Sequence, residues 1–142
     1  MKKNAWTFVR PLMNNDLIFE LENLLKISFP EYFISFIQEN NAGYPKNNIL
    51  DIKGRERVVS NLISMNYEDR PNMLGESLYL STMFDENLVP FAEDPFGNLF
   101  CFNFFLKDRY EVVFLDMESN FEITSIFETF SEFLDSLANN EG

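Results

Sequence analysis

The 142-residue chain contains no histidine, which removes the commonest general base, the Ser-His and Cys-His nucleophile pairs and most zinc sites. A single cysteine precludes an internal disulfide. That residue, Cys101, sits among Phe100, Phe102 and Phe104 with no adjacent cation to lower its pKa, so a buried and unreactive thiol is expected. The five glycines form neither GxGxxG nor GxxxxGK, which excludes the loops that cradle phosphates. No apolar run approaches the ~18 residues of a bilayer span. The opening Met1-Lys2-Lys3-Asn4 leads to Trp6, Phe8 and Arg10 rather than to an apolar export segment. A cytoplasmic location is expected. Positive charge is scarce as well, 11 Lys and Arg against 23 Asp and Glu, for a net charge of −12. Such a field repels nucleic acid and anionic membranes and speeds encounter with a basic protein.

What the chain has in quantity is phenylalanine, 17 residues within a composition that is 46% hydrophobic, which excludes disorder. Its length suits one domain, residues 1–142 with a core over about 15–138, able to bury roughly 68–70% of the unfolded chain's surface. Leu17, Ile18, Leu21, Leu24 and Leu25 recur with helical period across Asp16–Lys26, with Asn14 or Asn15 available as N-cap. Pro30 and Glu31 suit the start of a second helix, whose buried face would be Tyr32, Phe33, Phe36 and Ile37. Asn40-Asn41-Ala42-Gly43 ends it. Two strands, Ile49–Ile52 and Val58–Ile63, flank a Lys53-Gly54 turn. Residues 66–72 form a polar loop, and Met73–Thr82 is compatible with a short helix or an irregular connection.

The segment Leu88–Asn103 encodes a hairpin. Asp94-Pro95-Phe96-Gly97-Asn98 supplies a proline with fixed φ and a glycine tolerant of positive φ. Leu88, Val89, Phe91 and Ala92 on one arm and Leu99–Phe102 on the other are apolar without alternation, so both faces should be covered. Strands at Tyr110–Asp116 and Phe121–Ile126 follow. Thr129 and Glu132 have capping-box spacing ahead of Phe130, Phe133, Leu134 and Leu137, the stripe of a C-terminal helix. Strands grouped between helices predict an α+β fold, a mainly antiparallel sheet flanked by two N-terminal helices and one C-terminal helix.

Carboxylates near turns, Asp85, Glu86, Glu93 and Asp94, could in principle hold Mg²⁺ or act as acid and base. Their spacing matches no metal-loop pattern, and an aspartate opening a turn has a structural use in accepting backbone N–H groups. The aromatics lack the interleaved Lys and Arg of a nucleic-acid surface and are assigned to the core. No cofactor or metal is expected.

Leu88-Val89-Pro90-Phe91-Ala92-Glu93-Asp94, then Gly97-Asn98 and Leu99-Phe100-Cys101-Phe102, resembles the central motif of the SMI1/KNR4 family of the SUKH superfamily. Five further landmarks fall in order along the chain. Leu17–Leu25 with Glu22 resembles that family's first helix, and Phe29-Pro30-Glu31-Tyr32 its approach to the second. Asn41-Ala42-Gly43 stands where the family has Asn-Gly-Gly, with Ala42 a departure. Val112–Asp116 and the helix from Thr129-Phe130 to Leu137 complete the set, which covers roughly residues 15–138. The resemblance implies an α+β fold without a catalytic site, and in bacteria an immunity protein that neutralises a cognate polymorphic toxin, most simply a nuclease whose basic cleft meets the acidic field. The partner-binding candidates are Asp85, Glu86, Glu93, Asp94 and Phe96 near the hairpin, with Tyr44, Glu68 and Asp69 in flanking loops. The alternatives are a regulatory or scaffolding module that binds a protein unrelated to toxins, and a carboxylate-based or metal-dependent enzyme, which requires a pocket of converging carboxylates.

Overall fold

The computed structural model describes residues 3–140, so Met1 and Lys2 of the opening segment lie outside the described residues, as do the last two positions of the expected 1–142 unit. The chain is α+β. A short strand β1 (Trp6–Thr7) precedes helices α1 (Leu17–Leu25) and α2 (Glu31–Asn40), and strands β2 (Tyr44–Pro45), β3 (Ile49–Ile52), β4 (Arg55–Val58) and β5 (Asn61–Leu62) follow. Helix α3 (Met73–Ser81), strands β6 (Asn87–Glu93), β7 (Leu99–Leu106), β8 (Arg109–Asp116) and β9 (Glu122–Phe127), and helix α4 (Phe130–Asn139) complete the order. β5 to β9 form a five-stranded antiparallel sheet in chain order, while β1–β2 and β3–β4 are separate antiparallel pairs. No helix among the described residues is long and apolar enough to cross a membrane.

The helix boundaries follow from local chemistry. Leu17, Ile18 and Leu21 bury one face of α1, and the Asn14 side chain accepts the Asp16 N–H just before it. Lys26 closes α1 in the left-handed region, and Glu22 reaches from the helix to accept the Phe29 N–H at 2.7 Å, fixing the start of α2. On α2, Phe33 and Ile37 are buried and Phe36 partly so. Tyr32, expected on the buried face, is instead 55% exposed, and Leu24 of α1 is likewise outside the core. Each is the side chain at the edge of an apolar arc wider than the face that a neighbouring element covers. Thr129 caps α4 by accepting the Glu132 N–H, but its hydroxyl donates to the Glu132 carboxylate, so the return leg of the expected box runs through side chains.

Phenylalanine builds the core. The Phe33 ring lies 5.0 Å from Phe102 and 5.0 Å from Phe130, and Phe91 stacks on Phe102 at 4.6 Å. Phe133 extends the cluster to Phe91 and Phe100. Phe100, Phe102 and Phe104 fall on one face of β7 by the two-residue strand period, and Cys101 faces the other way. Met73, Ser77 and Leu80 of α3 are buried where that helix packs on β6. Both hairpin arms are thereby covered on two faces, and the Cys101 thiol, fully buried, is pushed far above the ordinary thiol range by that burial and by the nearby Glu76 charge.

Two segments differ from the sequence reading. The strand expected over Val58–Ile63 is two strands in different sheets. The Lys53-Gly54 turn has φ of 53° and 84°, the double-positive geometry that matches strand twist, and pairs β3 with Arg55–Val58. Val59 N–H then bonds to Asn48 and Ser60 N–H to Glu93, so the chain changes partner there and β5 joins the main sheet. Met73–Ser81 is a regular helix, a fourth one, capped by Asn72 accepting the Gly75 N–H at 2.8 Å.

Candidate functional site

The hairpin turn is a sealed structural unit. Asp94 is 3% exposed, and its carboxylate accepts the N–H groups of Phe96 and Asn98 and the Asn98 side-chain amide, each at 2.8 Å. Asn98, fully buried, accepts the Met117 N–H and donates to Glu118, tying the turn to the loop between β8 and β9. Gly97 sits at φ 89°, where a side chain would be strained. Asp94, expected at an exposed tip, is thus an internal part of the turn; Phe96 stands outside it, 74% exposed.

A cleft of about 800 Å³ opens beside the sheet edge at β5. It brings together four of the expected residues, Tyr44, Glu68, Asp69 and Glu93, with Phe8, Arg10, Arg70 and Asn61. Asp85 and Glu86 are exposed but precede β6, whereas Glu93 ends it. Seven strand residues separate them by about 20 Å. They do not share a site with the cleft.

Buried amides tie together the segments that line the cleft. Asn41, 1% exposed, donates to the Arg10 carbonyl and the Ser64 hydroxyl and accepts the Met65 N–H. Asn66 accepts the Met13 N–H and donates to the Pro11 carbonyl. These bonds hold the N-terminal segment against the loop after β5. Ala42 takes φ 64° where the helix ends, the left-handed geometry that a glycine would adopt freely. From there Gly43 accepts the Leu62 N–H, which sets β2 beside β5.

Charges line the walls unevenly. Asp69 pairs with Arg10 at 2.8 Å. Its carboxyl is held below the ordinary value by the Ser64 hydroxyl at 2.6 Å, and by Asn66 and Arg10, against the upward pull of burial. Arg70 donates to the Tyr67 and Asp69 carbonyls. Glu93 has no hydrogen-bond or ion-pair partner for its carboxylate among the described residues, and burial first, then the charges of Glu76 and Asp94, raise its pKa. At the rim Phe8 is 80% exposed at φ 55° and meets Tyr44 edge-on at 5.8 Å.

The sequence reading missed Phe8, Arg10 and Arg70. Phe8 reaches the site only because β1 pairs with β2, Thr7 opposite Tyr44, a contact 37 residues apart in the chain. No local pattern announces that pairing. Chemically the cleft offers rings, amides and carboxylates. Among the described residues, no group of three or more His, Cys, Asp or Glu is placed to hold a metal ion.

No curated protein matches the chain. A family model described as SMI1-KNR4 cell-wall matches residues 15–134, from just before α1 to the middle of α4, so Phe8 and Arg10 lie before the matched segment.

Proposed function

Because the chain belongs to the SMI1-KNR4 family, whose members are generally toxin immunity proteins, we propose that it is an immunity protein that binds and neutralises a cognate toxin. The family match carries this reading. The toxin is a basic nuclease, occluded at its active site or substrate groove, and the net charge of −12 supports that choice. A nuclease cleft is built to attract a polyanion, and an acidic protein of this size competes for the same field. The contact surface proposed is the cleft with Tyr44, Glu68, Asp69 and Glu93, extended by exposed Phe96; Asp85 and Glu86, at the far end of β6, would serve only a larger footprint. The chain acts as one binding unit in the cytoplasm, without cofactor or catalytic step.

The test is co-expression with the toxin domain encoded beside its gene. Growth should be rescued, and the purified complex should weaken as salt rises, because surface charge steering is screened over roughly 8–10 Å at physiological ionic strength. Failure of the intact protein to rescue, with both proteins expressed and soluble, would overturn the reading.

A further inference from the structure

We propose that the cleft is an arginine socket, in which an arginine side chain of the bound protein lays its guanidinium against Phe8 and Tyr44 and pairs with the Glu93 carboxylate. This rests on the immunity reading for its partner, though not for its geometry. The two ends of the socket are set by the backbone. Tyr44 follows Gly43, whose carbonyl accepts the Leu62 N–H, and Asn61 stands opposite Glu93 in the β5–β6 register. Two strand spacings, about 10 Å, therefore separate the Tyr44 backbone from that of Glu93, a gap that the tyrosine and glutamate side chains can close around one guanidinium.

The charge inventory selects a cation. Arg10 is paired with Asp69 and Arg70 donates to main-chain carbonyls, and neither forms an ion pair with Glu93. Glu93 is partly buried and feels the charges of Glu76 and Asp94, so its carboxylate is left without a counter-ion at that end of the cleft among the described residues. At the other end an exposed phenylalanine leans on a tyrosine. A guanidinium seated between the rings and the carboxylate is attracted by two mechanisms at once, cation–π on one side and a charge-assisted pair on the other. Arginine fits better than lysine, because its planar guanidinium stacks on rings while its N–H groups still reach the carboxylate.

The experiment uses the full chain and small probes, with no toxin. N-acetyl-arginine methylamide is titrated in while NMR follows Phe8, Tyr44 and the Glu93 carboxyl, with the citrulline and lysine analogues in parallel. Saturable shifts at all three positions are expected with a millimolar Kd, ~1–10 mM. The neutral citrulline analogue should bind at least about tenfold more weakly. Phe8→Ala and Glu93→Gln should each weaken the arginine probe by about fivefold or more, while Asp85→Asn leaves it unchanged. Equal binding of citrulline, tighter binding of the lysine analogue, or shifts confined to residues outside the cleft would overturn the socket. Rescue of toxin-expressing cells without arginine binding would remove the socket and leave the immunity reading standing; arginine binding without rescue would do the reverse.

Discussion

Replacing Asp94 with alanine separates a turn residue from a contact residue. Three hydrogen bonds end on its carboxylate, all at 2.8 Å, and two of their donors belong to Asn98, which is fully buried. The Phe96 N–H can be resolvated at the surface, so its loss is modest. The Asn98 N–H and one of its amide protons have no water to turn to. Each buried donor left without its partner costs about 1–3 kcal/mol, and bonds to a charged acceptor lie at the upper end. Asp94→Ala should therefore destabilise by about 3–5 kcal/mol, a large share of the roughly 5–15 kcal/mol that holds a domain of this size together. Urea unfolding should show a lower midpoint with an unchanged m-value, as for a loss of stability without a change in exposed area. Phe96→Ala, which keeps the Phe96 N–H and removes only an exposed ring, should stay within about 0.5 kcal/mol of wild type. A loss below about 1 kcal/mol for Asp94→Ala, or weakened partner binding at an unmoved midpoint, would refute the structural assignment.

Three further outcomes follow from the packing and the charges. Ser77→Ala should stabilise by about 1–2 kcal/mol, read as a rise of a few degrees in Tm, because the Ser77 hydroxyl is buried on α3 without a hydrogen-bond partner among the described residues and alanine is the better helix former. Phe33→Ala should cost about 3–5 kcal/mol in chemical denaturation, since its ring is fully buried among Phe29, Phe91, Phe102 and Phe130. Glu93→Gln should raise stability at neutral pH, and the gain should vanish on acidification below the ordinary carboxylate value of 4.5. The raised carboxyl favours the folded state below that value and opposes it as pH rises through the folded pKa, so a gain that grew on acidification would contradict the placement of Glu93.

Elements fixed by neighbouring residues were legible in the sequence. The Lys53-Gly54 turn, the Asp94–Asn98 loop and the Thr129 cap each depend on residues within five positions of one another, and each forms where its residue types predict. Helix α3 was ambiguous for a physical reason: Gly75 and the polar pair Glu76-Ser77 dilute its apolar stripe, and packing on β6 decides it. The Val58–Ile63 strand was misread because a run of β-favouring residues does not reveal a change of partner. Two backbone bonds, Val59 to Asn48 and Ser60 to Glu93, divide that run between sheets, and both are non-local. Ala42 shows the same limit from the other side. Its residue type disfavours φ 64°, yet the Asn41 side chain, bonded to three partners, holds the chain there.

The site was less legible than the fold because its parts are far apart in sequence and their roles depend on what remains unpaired. Among the carboxylates singled out, Asp69 and Glu93 look alike in the sequence. Folding gives the first an arginine and a serine hydroxyl and leaves the second without an ion-pair partner among the described residues. Asp94, adjacent to Glu93 in the chain, is drawn into the turn by the loop's own N–H groups. The hairpin therefore carries two functions on consecutive residues: Asp94 closes the turn inward, while Glu93, one strand position earlier, presents its charge to the cleft. Strand alternation separates them. A one-residue slip in the β6–β7 register would carry Glu93 to the opposite face and dismantle the socket. The bulge between Pro90 and Ala92 and the Asp94–Asn98 turn pin that register from either side. The same rigid hairpin that encodes the fold thereby also sets where the cleft's unpaired charge points.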